Sequence, residues 1–497
     1  MQDHNKSSYR SIMKGTAIFG GVQIFNILVN IVRGKFIAIF LGPSGMGVYS
    51  LLLSTANTII QFSGLGLNMS AVKEISQVDG QSEKLALVIK VFRRLVLLTA
   101  CAGALITICI SPWLSHFAFG NEDYTWSFIV LGGMVFFTIV ANGEISILQG
   151  IRRLRSLAVS TVLGALVGLL IGVPLYYFGG KQGIVPAMIV LALSSLIVSK
   201  FFTYQISLPS ITVPRHDGVV QSKKMLSLGV ILMISSLIGA AVINIINAYI
   251  RYRSGTEYDV GLYQSATSIT NQYVGLVFTA MAVDYFPRLA GVCGDKSKLS
   301  ETVNQQIDIV MLIVTPLILV IIITAPIIIR LLLSKEFMPA EPLVRWLGFG
   351  IFFKALSYPI GYIAFAKGDK RIFFWLEGIV SNLIMLITNV IGYRLFGLQG
   401  LGGSFLLSYI LYVVIITSVA RWRYGFTLNN GFWRFIMPLL LLSTIVFLML
   451  VVYSGHIWSY LIASVLFVIL TVYCYRELNK RIDIKEIIRS KFCRKTD

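Results

Sequence analysis

Cationic side chains lie deep inside two apolar runs of this sequence. Arg33 is eight residues before the end of a run at Leu41, about 12 Å along a helix. Lys354 is thirteen residues before Lys367 and fourteen after Ala340, in the middle of another run. A charge at that depth in a bilayer costs at least about 2.5 kcal/mol, so it is tolerated where it faces a polar cavity or a partner. Such cations would attract phosphate, which arginine holds through paired hydrogen bonds.

Neutral polar residues share the helix face that carries Arg33. Gln23, Asn26, Asn30 and Arg33 follow one another at spacings of three, four and three, which place them on one side of a helix. We predict that this side lines a polar cavity. The alternatives are an arginine that reaches the outer membrane surface or one that pairs with an acid. Lys35 is nearer the helix end and could reach that surface more easily.

Asparagines form a second polar stripe later in the chain. Asn244, Asn247 and Arg251 are spaced by three and four residues, while Asn57 and Asn271 lie well inside their own apolar runs. These amides either line the cavity or join neighbouring helices by hydrogen bonds. We list the four asparagines as candidate cavity residues, with helix packing as the alternative.

The remaining ionisable residues of the apolar runs lie near run ends. We expect Glu144 and Glu377 to pair with neighbouring basic loops and Asp284 to pair with Arg288, with a coupling-ion role for these acids as the alternative. Arg345 is about one turn from the outer end of its run, and we expect it at the membrane surface.

Sequence signals for catalysis or a bound cofactor are missing. There is no GxxxxGK[ST] phosphate-binding loop, no clustered histidines and cysteines of a metal site, and no serine–histidine–aspartate arrangement. The five cysteines show no disulfide pattern. The loops predicted outside are too short to fold over a substrate, so we predict a protein that is not an enzyme and needs no cofactor or metal.

The composition is that of an all-α polytopic membrane protein. Of 497 residues, 56% are hydrophobic and only 13% are charged, about half the share in soluble proteins. Apolar runs of helical length predict about fourteen transmembrane helices. They lie near residues 15–41, 46–72, 86–111, 124–150, 156–178, 183–205, 224–250, 259–286, 303–333, 340–366, 372–395, 399–420, 434–454 and 457–475.

The basic residues predict the orientation in the membrane. The net charge is +20, and most of the 42 lysines and arginines fall in every second loop and in the two tails. By the positive-inside rule these segments are cytoplasmic, and the excess charge does not indicate nucleic-acid binding. We therefore predict cytoplasmic N- and C-termini, with the basic tail resting on the anionic inner leaflet.

An internal repeat divides the chain. The segment GVYSLLLSTANT reappears 214 residues later as GLYQSATSITNQ, which places Gly47 on Gly261. Six helices are repeated, an even number, so both halves enter the membrane from the same side with a cavity expected between them. The predicted divisions are an N-lobe of helices 1–6 (1–222), a C-lobe of helices 7–12 (223–425), two additional helices (426–476) and the basic tail (477–497).

Three stretches carry a family resemblance. The segment LGPSGMGVYSLLLSTANTIIQFSGLGL with the following KEIS, its second copy VGLYQSATSITNQ, and DYFPRLA resemble the Wzx-type O-antigen and oligosaccharide flippases of the MOP exporter superfamily. The resemblance implies two six-helix lobes that move an undecaprenyl-diphosphate-linked oligosaccharide from the inner to the outer leaflet by alternating access. It makes Arg33, Lys35 and Lys354 the expected substrate cations. Partners would be membrane lipids, a coupling ion (H+ or Na+) and other polysaccharide-assembly proteins of the bacterial inner membrane.

Other functions stay open from the sequence. Fourteen helices resemble the lipid II flippase branch, in which an extra helix pair forms a groove for the lipid tail. A multidrug or cation antiporter of the same superfamily would require a carboxylate in the cavity, where this sequence offers cations. A membrane enzyme of glycan polymerisation is the remaining alternative.

Overall fold

Helices make up nearly the whole of the computed structural model, which describes residues 2–481 except 79–81, 152, 208, 210, 212, 213, 430 and 455. No strand occurs in these ranges. Helices dominate because a chain in lipid must satisfy its backbone hydrogen bonds internally. The α-helices are α1 (Gln2–Ser63), α2 (Leu67–Gln77), α3 (Ser82–Cys109), α4 (Ser111–Phe119), α5 (Thr125–Gly150), α6 (Leu154–Gly179), α7 (Ile184–Tyr204), α8 (Arg215–Ser254), α9 (Tyr258–Gly291), α10 (Lys296–Leu332), α11 (Glu341–Ala366), α12 (Lys370–Phe373), α13 (Ser381–Tyr424), α14 (Phe432–Val452) and α15 (Ile457–Arg481).

Several helices are long enough to hold two membrane spans each. In the described ranges, eight continuous stretches are long and apolar enough to cross a membrane, or nine if α3 and α4, bent by 66°, form one broken span. Two of these stretches contain 50 and 54 residues. The helical run of α1 is broken at Gly42 and that of α13 at Gly397, both in left-handed φ. These breaks fall between predicted spans, while the count of fourteen stays a prediction.

The internal repeat is visible in the backbone. Gly180 and Gly397, 217 residues apart, adopt nearly the same conformation, with φ/ψ of 54°/−134° and 59°/−141°. A residue with a side chain would be strained in this backbone conformation, so both repeats require glycine at this position. Three residues later, a methyl group at Gly183 would lie 2.0 Å from a helix carbonyl oxygen, and one at Gly400 would lie 1.9 Å from another. The predicted parallel repeat in an all-α membrane protein is thus confirmed at matching turns.

The chain forms two compact units. The first comprises 1–262 with 332–334, and the second comprises 263–331 with 335–497. In the first unit α5 packs on α3 and α7, and α6 packs on α1 and α7. In the second unit α11 packs along α13 and contacts α14. The lobe boundary expected at 222 stays a prediction.

Arg345 of α11 connects this helix to the last two helices, α14 and α15. Its side chain is 1% exposed, pairs with Glu341 at 2.6 Å and donates to the hydroxyl of Tyr460 on α15 at 2.6 Å. It also donates to the backbone oxygen of Leu450 in the last turn of α14, where the helix dipole favours a cation. Arg345 is thus buried against α14 and α15, and the expectation that it lies at the depth of the membrane surface stays a prediction.

We predict that Arg345→Met lowers the free energy of unfolding by roughly 3 kcal/mol, since it leaves the carboxylate of Glu341 without its cation in a buried setting. Thermal unfolding of the purified protein in detergent measures the change. Arg330→Met, at an exposed arginine of α10, serves as the control with little effect. An Arg345→Met protein as stable as this control would contradict the anchoring role.

Candidate functional site

Arg33 lies on α1 beside the amide of Asn30. Its side chain is partly exposed, and its guanidinium donates a hydrogen bond to the side-chain oxygen of Asn30, one turn earlier. No ion pair involves Arg33 among the side chains that the structure describes. An amide orients the guanidinium but does not neutralise it, so the positive charge remains available.

The other residues that the sequence proposed for the cavity or for ion coupling are exposed, partly exposed or outside the described side chains. Asn26 and Lys35 are partly exposed on α1. Gln23 belongs to the helix, but its side chain lies outside the described residues, as does that of Asp284 on α9. Asn57 is exposed on the second half of α1. The role of these residues as cavity lining stays a prediction.

Asn244 and Asn247 are buried between α8 and the second half of α1. The Asn244 amide donates to the backbone oxygen of Ser54 at 2.9 Å and to the hydroxyl of Thr58, and its oxygen accepts from Thr55 at 3.3 Å. Asn247 is 0% exposed and lies 3.5 Å from the hydroxyl of Ser54. These contacts match the helix-packing alternative that the sequence left open.

Lys354 lies on α11 in an environment of amide and aromatic groups. Its ammonium donates to the side-chain oxygen of Asn271 at 3.3 Å and lies 5.9 Å and 5.7 Å from the ring centres of Phe278 and Tyr409. Both arrangements stabilise a cation without cancelling its charge. The structure thus brings together Lys354 and Asn271, which the sequence picked out separately. In the described side chains Lys354 has no ion-pair partner.

The sequence did not single out two tyrosines that lie on the same helix face as Lys354. Tyr358 and Tyr362 follow Lys354 at intervals of four, and their hydroxyl oxygens are 3.1 Å apart. The hydroxyl of Tyr358 also donates to the backbone oxygen of Phe278 at 3.1 Å. The spacing of four was the signal that could have identified them, because it places all three residues on one helix face.

Glu377 lies in a π-helical segment, Phe374–Val380, between α12 and α13. It accepts a hydrogen bond of 2.6 Å from the hydroxyl of Tyr412 on α13. A methyl group at Gly361 would lie 2.6 Å from the carboxylate, so this glycine makes room for it. The described hydrogen-bond partner of Glu377 is thus a tyrosine, and its expected pairing with the neighbouring basic loop stays a prediction. Segments of this kind often occur at functional sites.

Glu144 has a complete set of partners. It is 6% exposed and binds Arg93 of α3 through two hydrogen bonds of 3.0 and 2.7 Å. The hydroxyl of Thr203 on α7 adds a third at 2.6 Å. Glu144 was expected to pair with the following basic loop, but its partner comes from another helix. The cluster joins α3, α5 and α7, so Glu144 connects three helices through its hydrogen bonds.

Close backbone contact joins repeat-related glycines of the first unit. A methyl group at Gly47 would lie 1.9 Å from the backbone oxygen of Glu257, and one at Gly261 would lie 1.9 Å from that of Pro43. Glu257 is held by Arg251 at 3.0 Å. The two helical segments that begin near Gly47 and near Gly261, at matching places in the two repeats, are therefore in contact at their ends.

A second contact joins α2 to the first part of α8. Glu74 of α2 is buried and pairs with Lys224 of α8 at 2.6 Å. The hydroxyl of Ser70 donates to the backbone oxygen of Met225 at 2.9 Å. Together with the Asn244 contacts, these interactions hold α8 along α1 and α2 over most of its length.

The long apolar helices define a multi-pass membrane protein that has polar and positively charged positions inside its spans. A family model described as polysaccharide biosynthesis protein matches residues 36–342, and the chain belongs to this family. The sequence is 22% identical over 424 residues to the lipid III flippase of Escherichia coli (strain K12), covering 83% of this chain and 99% of the relative. It is 20% identical over 403 residues to a putative O-antigen transporter of Shigella flexneri, covering 78% and 92%.

Solved structures share the fold. The lipid II flippase MurJ in an inward closed conformation matches with a TM-score of 0.69 at 15% identity, over 95% of this chain and 99% of that one. An inward-facing multidrug resistance MATE family transporter of the MOP superfamily matches with a TM-score of 0.67 at 17% identity, over 82% and 98%. The predicted MOP fold is thereby confirmed.

We predict that Gly47→Ala destabilises the folded protein by about 1–3 kcal/mol, because its methyl group forces the backbone of Glu257 away. Thermal unfolding in detergent gives the difference. Gly34→Ala is the matched control, since a methyl group there would meet nothing within 4 Å. Equal unfolding temperatures for the two variants would show that the contact at Gly47 is not close.

Proposed function

We propose that this protein is a flippase for an undecaprenyl-diphosphate-linked oligosaccharide, such as an O-antigen or other surface polysaccharide unit. It moves this lipid from the cytoplasmic to the outer leaflet of the bacterial inner membrane by alternating access. Both chain termini are cytoplasmic in this proposal. The observation that carries it is the state of Arg33 and Lys354, which are spanning-segment cations held by asparagines instead of acids.

The headgroup chemistry fits these cations. A diphosphate in a diester carries two negative charges, and each positive group offers it a charge-assisted hydrogen bond. Arg33 presents a planar fork that can hold two phosphate oxygens, while Lys354 acts as a point charge. Exposed Asn57 and Asn271 supply amides for sugar hydroxyls. The lipid tail stays in hydrocarbon throughout and needs no polar path.

The names of the relatives support the same substrate class. Both the lipid III flippase and the putative O-antigen transporter are named for lipid-linked or surface glycans. Nothing in the proposal requires a chemical step, so we place the protein among transporters rather than enzymes. A coupling ion and other polysaccharide-assembly proteins are the further partners that we propose.

A lipid II flippase is the second candidate. It is favoured by the likeness to MurJ over 95% of this chain, which includes the two helices α14 and α15. Lipid II also carries a diphosphate, so the cations alone do not separate the two substrates. Rescue of a strain depleted of its peptidoglycan flippase would favour lipid II, whereas rescue of surface-glycan export alone would favour the first candidate.

We predict that Arg33→Gln and Lys354→Gln each reduce surface-glycan export by about 10- to 100-fold, since each removes a hydrogen bond to a charged group. Export is measured in a strain that lacks its own flippase, at matched amounts of membrane-inserted protein. Arg394→Gln, at an exposed arginine of α13, should export normally. Unchanged export by the double variant Arg33→Gln/Lys354→Gln would refute the assignment of these cations.

A further inference from the structure

Glu377 and Lys354 lie near the same face of α11 inside the second unit. An added methyl group at Gly361 of α11 would lie 2.6 Å from the Glu377 carboxylate, and Lys354 is seven residues, or about two turns, earlier on that helix. Both side chains are partly exposed, and no ion pair within 4.0 Å joins them in the described part of the chain. Opposite charges about two turns apart influence each other in a medium of low dielectric without forming an ion pair.

Few groups face the Glu377 carboxyl. On α13 the hydroxyl of Tyr412 donates to it at 2.6 Å, and on α11 Lys354 and Tyr358 are its titratable neighbours among the described side chains. Tyr358 is in turn bonded to Tyr362. Among these described side chains, Glu377 is the acidic group and Lys354 is the basic group.

The surroundings of Glu377 are arranged to hold a carboxyl in a single place. The π-helical turn widens the backbone around it, Gly361 leaves space beside its oxygen, and Tyr412 fixes its orientation. Glu144 differs, because Arg93 binds its carboxylate through two hydrogen bonds and Thr203 donates a third. Among the described side chains, Glu377 thus has a defined position and no ion-pair partner.

We propose that Glu377 is a proton-binding site linked to anion binding at Lys354. When a hydronium ion transfers its proton to the carboxylate, an O–H bond forms, a water molecule is released and the negative charge of Glu377 disappears. The positive charge of Lys354 is then uncompensated and attracts an anionic headgroup more strongly. By reciprocity, binding of the diphosphate favours uptake of one proton at Glu377. This inference rests on the proposed function, in which Lys354 contacts the headgroup phosphates.

The direction of the pH effect follows from the charges. At low pH Glu377 is neutral and Lys354 binds the anion well. As pH rises and Glu377 ionises, its negative charge opposes the anion and the affinity falls. We expect the affinity to fall about tenfold over the pH range in which Glu377 loses its proton, within the usual range of coupling between two sites.

The test uses the full-length protein in detergent with uridine diphosphate N-acetylglucosamine as the probe, because its disubstituted diphosphate keeps its charge over this range. Titration calorimetry in two buffers of different ionisation enthalpy gives the affinity and the number of protons taken up. The wild type should take up a proton and lose affinity as pH rises. Glu377→Gln should bind with an affinity that no longer depends on pH, and with no proton uptake.

Two further variants complete the experiment. Glu122→Gln, an exposed acid between α4 and α5, should keep the wild-type pH dependence. Tyr412→Phe keeps the carboxyl but removes its hydrogen-bond donor, so it should displace the pH window without abolishing it. This second variant tests the site even if Glu377→Gln fails to fold.

Three outcomes would overturn the inference: a wild type that binds the probe without proton uptake, a Glu377→Gln protein with unchanged pH dependence, or no binding of the probe at all. None of these would refute the proposed function, which is judged by glycan export. Conversely, normal proton-linked binding together with absent export would refute the proposed function and leave the linkage intact.

Discussion

The cost of placing a charge inside an apolar span governs this structure, and the protein meets it in two different ways. Glu144 is neutralised by Arg93, and Arg345 is enclosed by an acid, a hydroxyl and a helix end. Those charges hold helices together. Arg33 and Lys354 instead receive asparagine oxygens, which satisfy hydrogen bonds but leave the positive charge in place. A net positive charge that persists in a membrane span favours an anionic ligand.

Close packing of the backbone supports these side chains. Glycines at matching positions of the two repeats let chain segments approach to distances that no side chain permits. The same sequence constraint appears twice, at Gly180 and Gly397, because each repeat must make the same turn between two spans. Rigid turns and close helix contacts position the few polar groups, so the fold provides defined sites within an environment that offers little hydrogen bonding of its own.

The sequence predicted those features that depend on local pattern. The length of the apolar runs and the positions of the glycines predicted the all-helical fold and its turns. The positions of Arg33 and Lys354 within their runs followed from counting residues to the run ends. Partner choice could not be predicted, because it depends on which helices pack together. Glu144 binds Arg93, 51 residues away, and Arg345 is buried only because later helices cover it. The bend of 66° between α3 and α4 also lacked a local signal.

The most direct test is whether water reaches the cation on α11. In a protein whose five cysteines are replaced by serine, Asn271→Cys beside Lys354 is labelled with a charged maleimide that cannot cross membranes, applied to both membrane faces. Ile327→Cys, at a residue of α10 that is 64% exposed, reports a position facing lipid. The account predicts rapid labelling of Asn271→Cys and none of Ile327→Cys. Equally slow labelling of both would contradict the claim that this charge serves a polar transport path.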